Sequence, residues 1–214
     1  MRPLLYHYAG PEYTDLDDHY LVGDALLVAP ILYGEGQGPE IVRNGVKMQE
    51  RPVRLPPGGW FDLNRGKWME GGRLVLYAAA LDELPLFARD GAVLPYYAGP
   101  LKNSVMDLRA VELHLFCRER PARFDYFLDD QTTRRYQSGN YGIAQIAAGI
   151  DGERLQVEIA ETGDYPRDTV VFTSVLYGHP EARELEPTVN GRTVTRPLQA
   201  GQREWLCREW AVRV

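Results

Sequence analysis

Cysteine is scarce in this chain: 214 residues carry two, Cys117 and Cys207. Neither stands in a Cys-x-x-Cys pair, which argues against a zinc site. Their runs, Leu113 to Cys117 and Trp205 to Cys207, read as strands, so both are expected as small buried hydrophobes. Spacing does not bring their Cα atoms within bonding range, and a disulfide stays open. Long apolar runs are also lacking. The longest, Ala25 to Leu32, falls far short of the roughly twenty residues of a membrane-spanning helix, so no membrane partner is expected. No basic region followed by an apolar core opens the chain, so no signal peptide is read. The compartment is undetermined, with the cytoplasm slightly favoured. Positive charge is not in excess, with 24 Lys and Arg against 30 Asp and Glu. The two signs are interleaved without a basic stripe, which speaks against a nucleic-acid partner.

Catalytic and cofactor motifs are missing as well. The four histidines, His7, His19, His114 and His179, show no i, i+4 metal spacing, and no metal site is expected. His114 alternates onto the polar side of its strand with Glu112 and is expected to be exposed. There is no Gly-x-Ser-x-Gly elbow. The glycine-rich stretch Tyr33 to Pro39 is not followed by Gly-Lys-Ser/Thr, so it reads as a connection and no cofactor is expected.

What the chain does have is turn chemistry and strand formers: 21 glycines, 15 prolines and 13 tyrosines. These favour many short strands. Asp15 to Gly23 reads as a short helix, and Leu26 to Leu32 as a buried strand. From Arg51 a meander follows: Pro52 to Leu55, Trp60 to Leu63, Lys67 to Glu70 and Arg73 to Tyr77. Leu84 to Ala88 and Ala92 to Tyr96 complete its sheet. Ala98 to Ser104, small and helix-breaking, is the expected domain boundary. Beyond it, Val111 to Cys117 carries apolar residues at odd numbers. Arg123 to Leu128 also alternates, Asp151-Gly152 and Asn190-Gly191 mark hairpins, and Asp168 to Leu176 reads as a buried strand. The fold class is all-β, with two β-sandwich domains.

Paired carboxylates would be the first candidates for hydrolytic chemistry. Asp17-Asp18 is read as a helix cap. Asp129-Asp130 follows a strand, where neighbouring side chains point to opposite faces, and is read as a turn. No catalytic residue is therefore assigned. Aromatic residues serve sandwich cores and also sugar platforms. Trp60 and Phe61 are expected in the core or at a domain contact. Trp68, Tyr77, Tyr96, Tyr97, Tyr126, Tyr136, Tyr141 and Tyr165 stay open between the two uses.

The order of several blocks resembles the end of the (β/α)8 barrel and the C-terminal β-sandwiches of glycoside hydrolase family 31, the α-glucosidase-like family. The blocks are Arg2-Pro3-Leu4, Asp17-Asp18 to Gly23, Leu26 to Pro30, Val53 to Asp62, Gly71-Gly72 and Leu81 to Pro95. Tyr126 to Asp130 matches more loosely. Two positions depart from the pattern: Asp90, where a small or neutral residue is usual, and Gln131 to Thr133, where a Gly-Glu-like turn is usual. The resemblance implies an N-terminal remnant of barrel over 1–32, a proximal β-sandwich over 33–98 and a distal β-sandwich over 105–214. It also implies hydrolysis of α-linked sugars with retention by the whole protein. No position here matches the family's nucleophile or general acid, whereas retention needs two carboxyl groups about 5–5.5 Å apart. The expected role is structural support of a catalytic barrel missing from this chain. The alternatives are an independent carbohydrate-binding module and a truncated gene product acting as an interaction protein. Without barrel neighbours, the segment Leu4 to Leu32 is expected to promote self-association or to fold back on the first sandwich.

Overall fold

The computed structural model describes residues 1–33, 37–97, 110–163 and 171–178, together with strands between 184 and 213. The expected boundary at Ala98 to Ser104, and Tyr165, lie outside the described residues. The chain divides into two compact units, Met1–Asp90 and Gly91–Val214.

Among its described residues the first unit has nine strands: β1 (Arg2–Pro3), β2 (Tyr20–Val22), β3 (Leu26–Val28), β4 (Glu40–Arg43), β5 (Val46–Leu55), β6 (Gly59–Asp62), β7 (Lys67–Glu70), β8 (Arg73–Ala79) and β9 (Leu86–Arg89). They form a six-stranded sheet, β1-β2-β3-β9-β6-β7, and a three-stranded sheet, β4-β5-β8. One core joins the sheets. Leu21, Leu27, Trp60 and Phe87 come from the larger sheet, and Val53, Leu55, Tyr77 and Ala79 from the smaller. Residues 1–32, for which the resemblance implies a barrel remnant, supply the three strands β1, β2 and β3 of this sheet. Leu27, Val28 and Ala29 are buried there. The helix expected over Asp15 to Gly23 is not formed. A 3-10 turn at Pro11–Tyr13 is followed by strand β2, because Tyr20-Leu21-Val22 is β-favouring and Leu21 finds its cover across the sandwich.

The second unit begins with β10 (Ala92–Tyr97), β11 (Ala110–Phe116), β12 (Ala122–Leu128), β13 (Gly142–Asp151), β14 (Arg154–Gly163) and β15 (Val171–Tyr177). It continues with β16 (Glu184–Val189), β17 (Arg192–Thr193), β18 (Arg196–Pro197), β19 (Gln199–Ala200) and β20 (Cys207–Arg213). One sheet runs β10-β11-β15-β20-β19; the other runs β12-β13-β14-β16-β17, with β18 beside β16. The pairs β11–β15 and β14–β16 are parallel. Val111, Leu113, Leu115 and Phe172 of one sheet meet Ala144, Ile146, Val157 and Ile159 of the other. Cys117 is buried in the same core, as expected; the side chain of Cys207 is not among those described.

The sequence reading of β9 and β10 as members of one sheet is corrected. β9 pairs β3 and β6, whereas β10 pairs β11 in the second unit. The change of sheet falls between Asp90, whose N–H donates to Gly59 O at 2.9 Å, and Gly91, whose N–H donates to Phe116 O at 2.7 Å.

Candidate functional site

Charged side chains that a hydrolase would use are placed here by the sandwich. Arg51 leaves β5 into a site where it is 3% exposed, and a buried cation has to be paired. Its guanidinium meets the Asp18 carboxylate at 2.5 Å and donates to the carbonyls of Pro30 and, at 3.3 Å, Asp18. His19 is buried beside it. The Arg54 N–H donates to His19 Nε2 at 2.9 Å, so the ring proton sits on Nδ1 and faces Asp18 Oδ1. Burial first, and then the charge of Arg51, holds the His19 pKa below its ordinary value. Burial works against the Asp18 carboxylate, but the hydrogen bond from His19 and the nearby positive charge outweigh it and lower its pKa. Asp18 is therefore an anchor for Arg51 and His19 and not the helix cap read from the sequence.

Asp62 ends β6 and is fully buried. Its Oδ1 accepts from the N–H groups of Asn64 and Arg65, both at 3.0 Å, and from the Tyr77 hydroxyl at 3.1 Å. The Arg65 guanidinium lies 3.4 Å from Oδ2 and 3.6 Å over the Tyr77 ring, and it donates to Ala78 O at 2.6 Å. Burial raises the Asp62 pKa against the pull of these donors, and burial followed by the Asp62 charge raises that of Tyr77. Asp129 and Asp130 form the expected turn: Asp129 Oδ1 accepts from the Gln131 N–H at 2.9 Å, and Asp130 Oδ1 from the Thr133 N–H at 2.8 Å.

The exposed position read for His114 is corrected: it is 4% exposed. Nδ1 lies 2.7 Å from the Tyr177 hydroxyl and Nε2 lies 3.1 Å from Glu112. The Tyr96 ring covers it at 4.2 Å. Alternation correctly sends Val111, Leu113 and Leu115 to the core, but the opposite face of β11 is covered too. Trp60 and Phe61 are core residues, at 0% and 1% exposure, and the Trp60 indole N–H donates to Pro56 O at 2.8 Å.

Asp18, Asp62, Asp129 and Asp130 are thus each held by structural partners, and the arrangement serves packing. The family model described as Glycosyl hydrolase family 31 C-terminal domain matches residues 1–94. This part of the chain is a glycosyl hydrolase family 31 C-terminal domain. An α-xylosidase of Saccharolobus solfataricus is 30% identical over 159 residues, covering 73% of this chain and 20% of the relative. α-Glucosidase 2 of Bacillus thermoamyloliquefaciens is 32% identical over 194 residues, covering 89% of this chain and 22% of the relative. A Flavobacterium johnsoniae family 31 dextranase structure shares the fold, with a TM-score of 0.74 at 20% identity, covering all of this chain and 27% of that one. The chain spans about a fifth of the length of these two curated relatives. The buried ion pairs of the family 31 domain were missed in the sequence. Asp62-Leu63-Asn64-Arg65 did carry a local signal, an Asp accepting from N–H groups two and three residues on. Arg51 and His19, 32 positions apart, carried none.

Proposed function

We propose that this chain is the non-catalytic C-terminal part of an α-glycosidase-like protein and braces its catalytic barrel. The observation that carries the reading is the match of residues 1–94 to a C-terminal domain, together with the use of its ordered aspartates as structural anchors. The names of the relatives point to α-linked glucosides and xylosides as substrates of the whole protein. Leu5, Tyr6 and Val22 of the first unit stand exposed, and covering such apolar area yields about 25 cal/mol per Å². The bracing role needs a barrel that recognises this surface. The test is light scattering of the chain mixed with the Saccharolobus α-xylosidase expressed without the segment matched here. A one-to-one complex is expected, weakened by Tyr6→Asp. Two separate masses at all concentrations would contradict the bracing role.

A further inference from the structure

A pocket of about 430 Å³ opens in the first unit beside the small sheet, within the usual size range of small-molecule sites. Strand register builds one wall. Glu40 pairs Gln49 across β4 and β5, and Gln49 pairs Ala79 across β5 and β8. Directly opposed residues share a sheet face, so a carboxylate, an amide and a methyl group stand in one row. The second wall is the turn Ala80 to Glu83, closed twice. The Glu83 N–H donates to Ala80 O at 3.0 Å, and the Ala80 N–H donates to a Glu83 carboxylate oxygen at 3.3 Å. This fixed turn carries Asp82 on the pocket rim.

Tyr33 forms the third side. A Cβ on Gly38 would lie 2.5 Å from the Tyr33 ring, so only glycine lets the ring lie against the backbone there. The residue remains 38% exposed. The ring is therefore backed on one side and open on another. Lys47 is the single cation of the lining, against the carboxylates of Glu40, Asp82 and Glu83. Such a rim offers acceptors to hydroxyl groups and repels anions.

The geometry points to a binding site for a neutral pyranose in this pocket. The apolar C–H face of the sugar rests on Tyr33, while Glu40 and Asp82 accept from its hydroxyls. Charge-assisted hydrogen bonds of this kind are the stronger ones, and aromatic contact adds to area burial. The site does not depend on the barrel-bracing role, since its walls all belong to the first unit.

The test is saturation-transfer NMR on the intact chain with maltose as the neutral probe, methyl α-glucuronide as the anion and glucosamine as the cation. Saturable maltose binding is expected, with no binding of the glucuronide. Tyr33→Ala should weaken maltose about tenfold, the loss of roughly 1.4 kcal/mol of ring contact, while Tyr33→Phe stays within about twofold of the parent. Asp82→Ala, at an exposed turn, should weaken it several-fold without moving the melting temperature. Absence of maltose binding, binding unchanged by both Tyr33→Ala and Asp82→Ala, or glucosamine binding more tightly than maltose would overturn the assignment. A failed titration leaves the bracing role standing, because that role is read from the mass of a complex with a barrel.

Discussion

Replacing Asp62 by alanine is expected to cost the first unit about 3–5 kcal/mol, the range for removing one partner of a buried charged network. Three donors lose their acceptor together: the Asn64 and Arg65 N–H groups and the Tyr77 hydroxyl. Tyr77 is buried in the core, and an orphaned buried hydroxyl costs about 1–3 kcal/mol by itself. Arg65 keeps its bond to Ala78 O and its place over the Tyr77 ring, but its charge loses the carboxylate 3.4 Å away. Asp62→Asn should cost far less, about 1–2 kcal/mol, because its side-chain oxygen still accepts from all three donors and burial already disfavours the negative charge. Denaturant melts of the three proteins check this. Equal losses for the alanine and asparagine variants would show that charge, and not the acceptor, is what the site requires.

Acidification should destabilise the first unit in two stages. The pKa of His19 is lowered in the folded chain, so below its ordinary value of about 6.5 the unfolded chain takes up a proton that the folded chain resists. Stability linked to His19 is complete above that value and falls as pH drops through it toward the lower folded pKa. The pKa of Asp18 is also lowered. Its contribution is present above the ordinary carboxylate value of about 3.9 and disappears as pH falls through its folded pKa, which forms the second stage. The groups facing His19 are Asp18, Arg51 and Arg54. His19→Gln supplies an acceptor for the Arg54 N–H and a donor for Asp18, without a titrating ring. That variant should flatten the first stage between about pH 7 and 5 and leave the second. Thermal melts across this range read the effect; an unaltered first stage would place the proton uptake elsewhere.

Elements built from one-sided alternation were legible in the sequence. Val111, Leu113 and Leu115 face the core as their spacing implies, and the aspartates at 129 and 130 make the turn that adjacent strand residues required. The hairpin of β4 and β5 was passed over. Its strands are mostly exposed or half-exposed, so they carry little hydrophobic period, although Asn44-Gly45 marks the turn with φ of 49° and 79°, the positive values that Asn-Gly favours. His114 was misplaced because alternation describes one covered face, whereas β11 is covered on both. The change of sheet at Asp90 left no trace, since β9 and β10 read as similar short apolar runs whichever partner they take. The pocket row of Glu40, Gln49 and Ala79 depends on register among three strands, which composition and local spacing do not encode.

The support role without catalysis is tested most directly by a turnover assay on the purified chain with an activated aryl α-glucoside and aryl α-xyloside at neutral pH. Release of the phenol no faster than in buffer is the predicted result. Clear release that vanishes when one carboxylate of this chain is replaced would contradict the account.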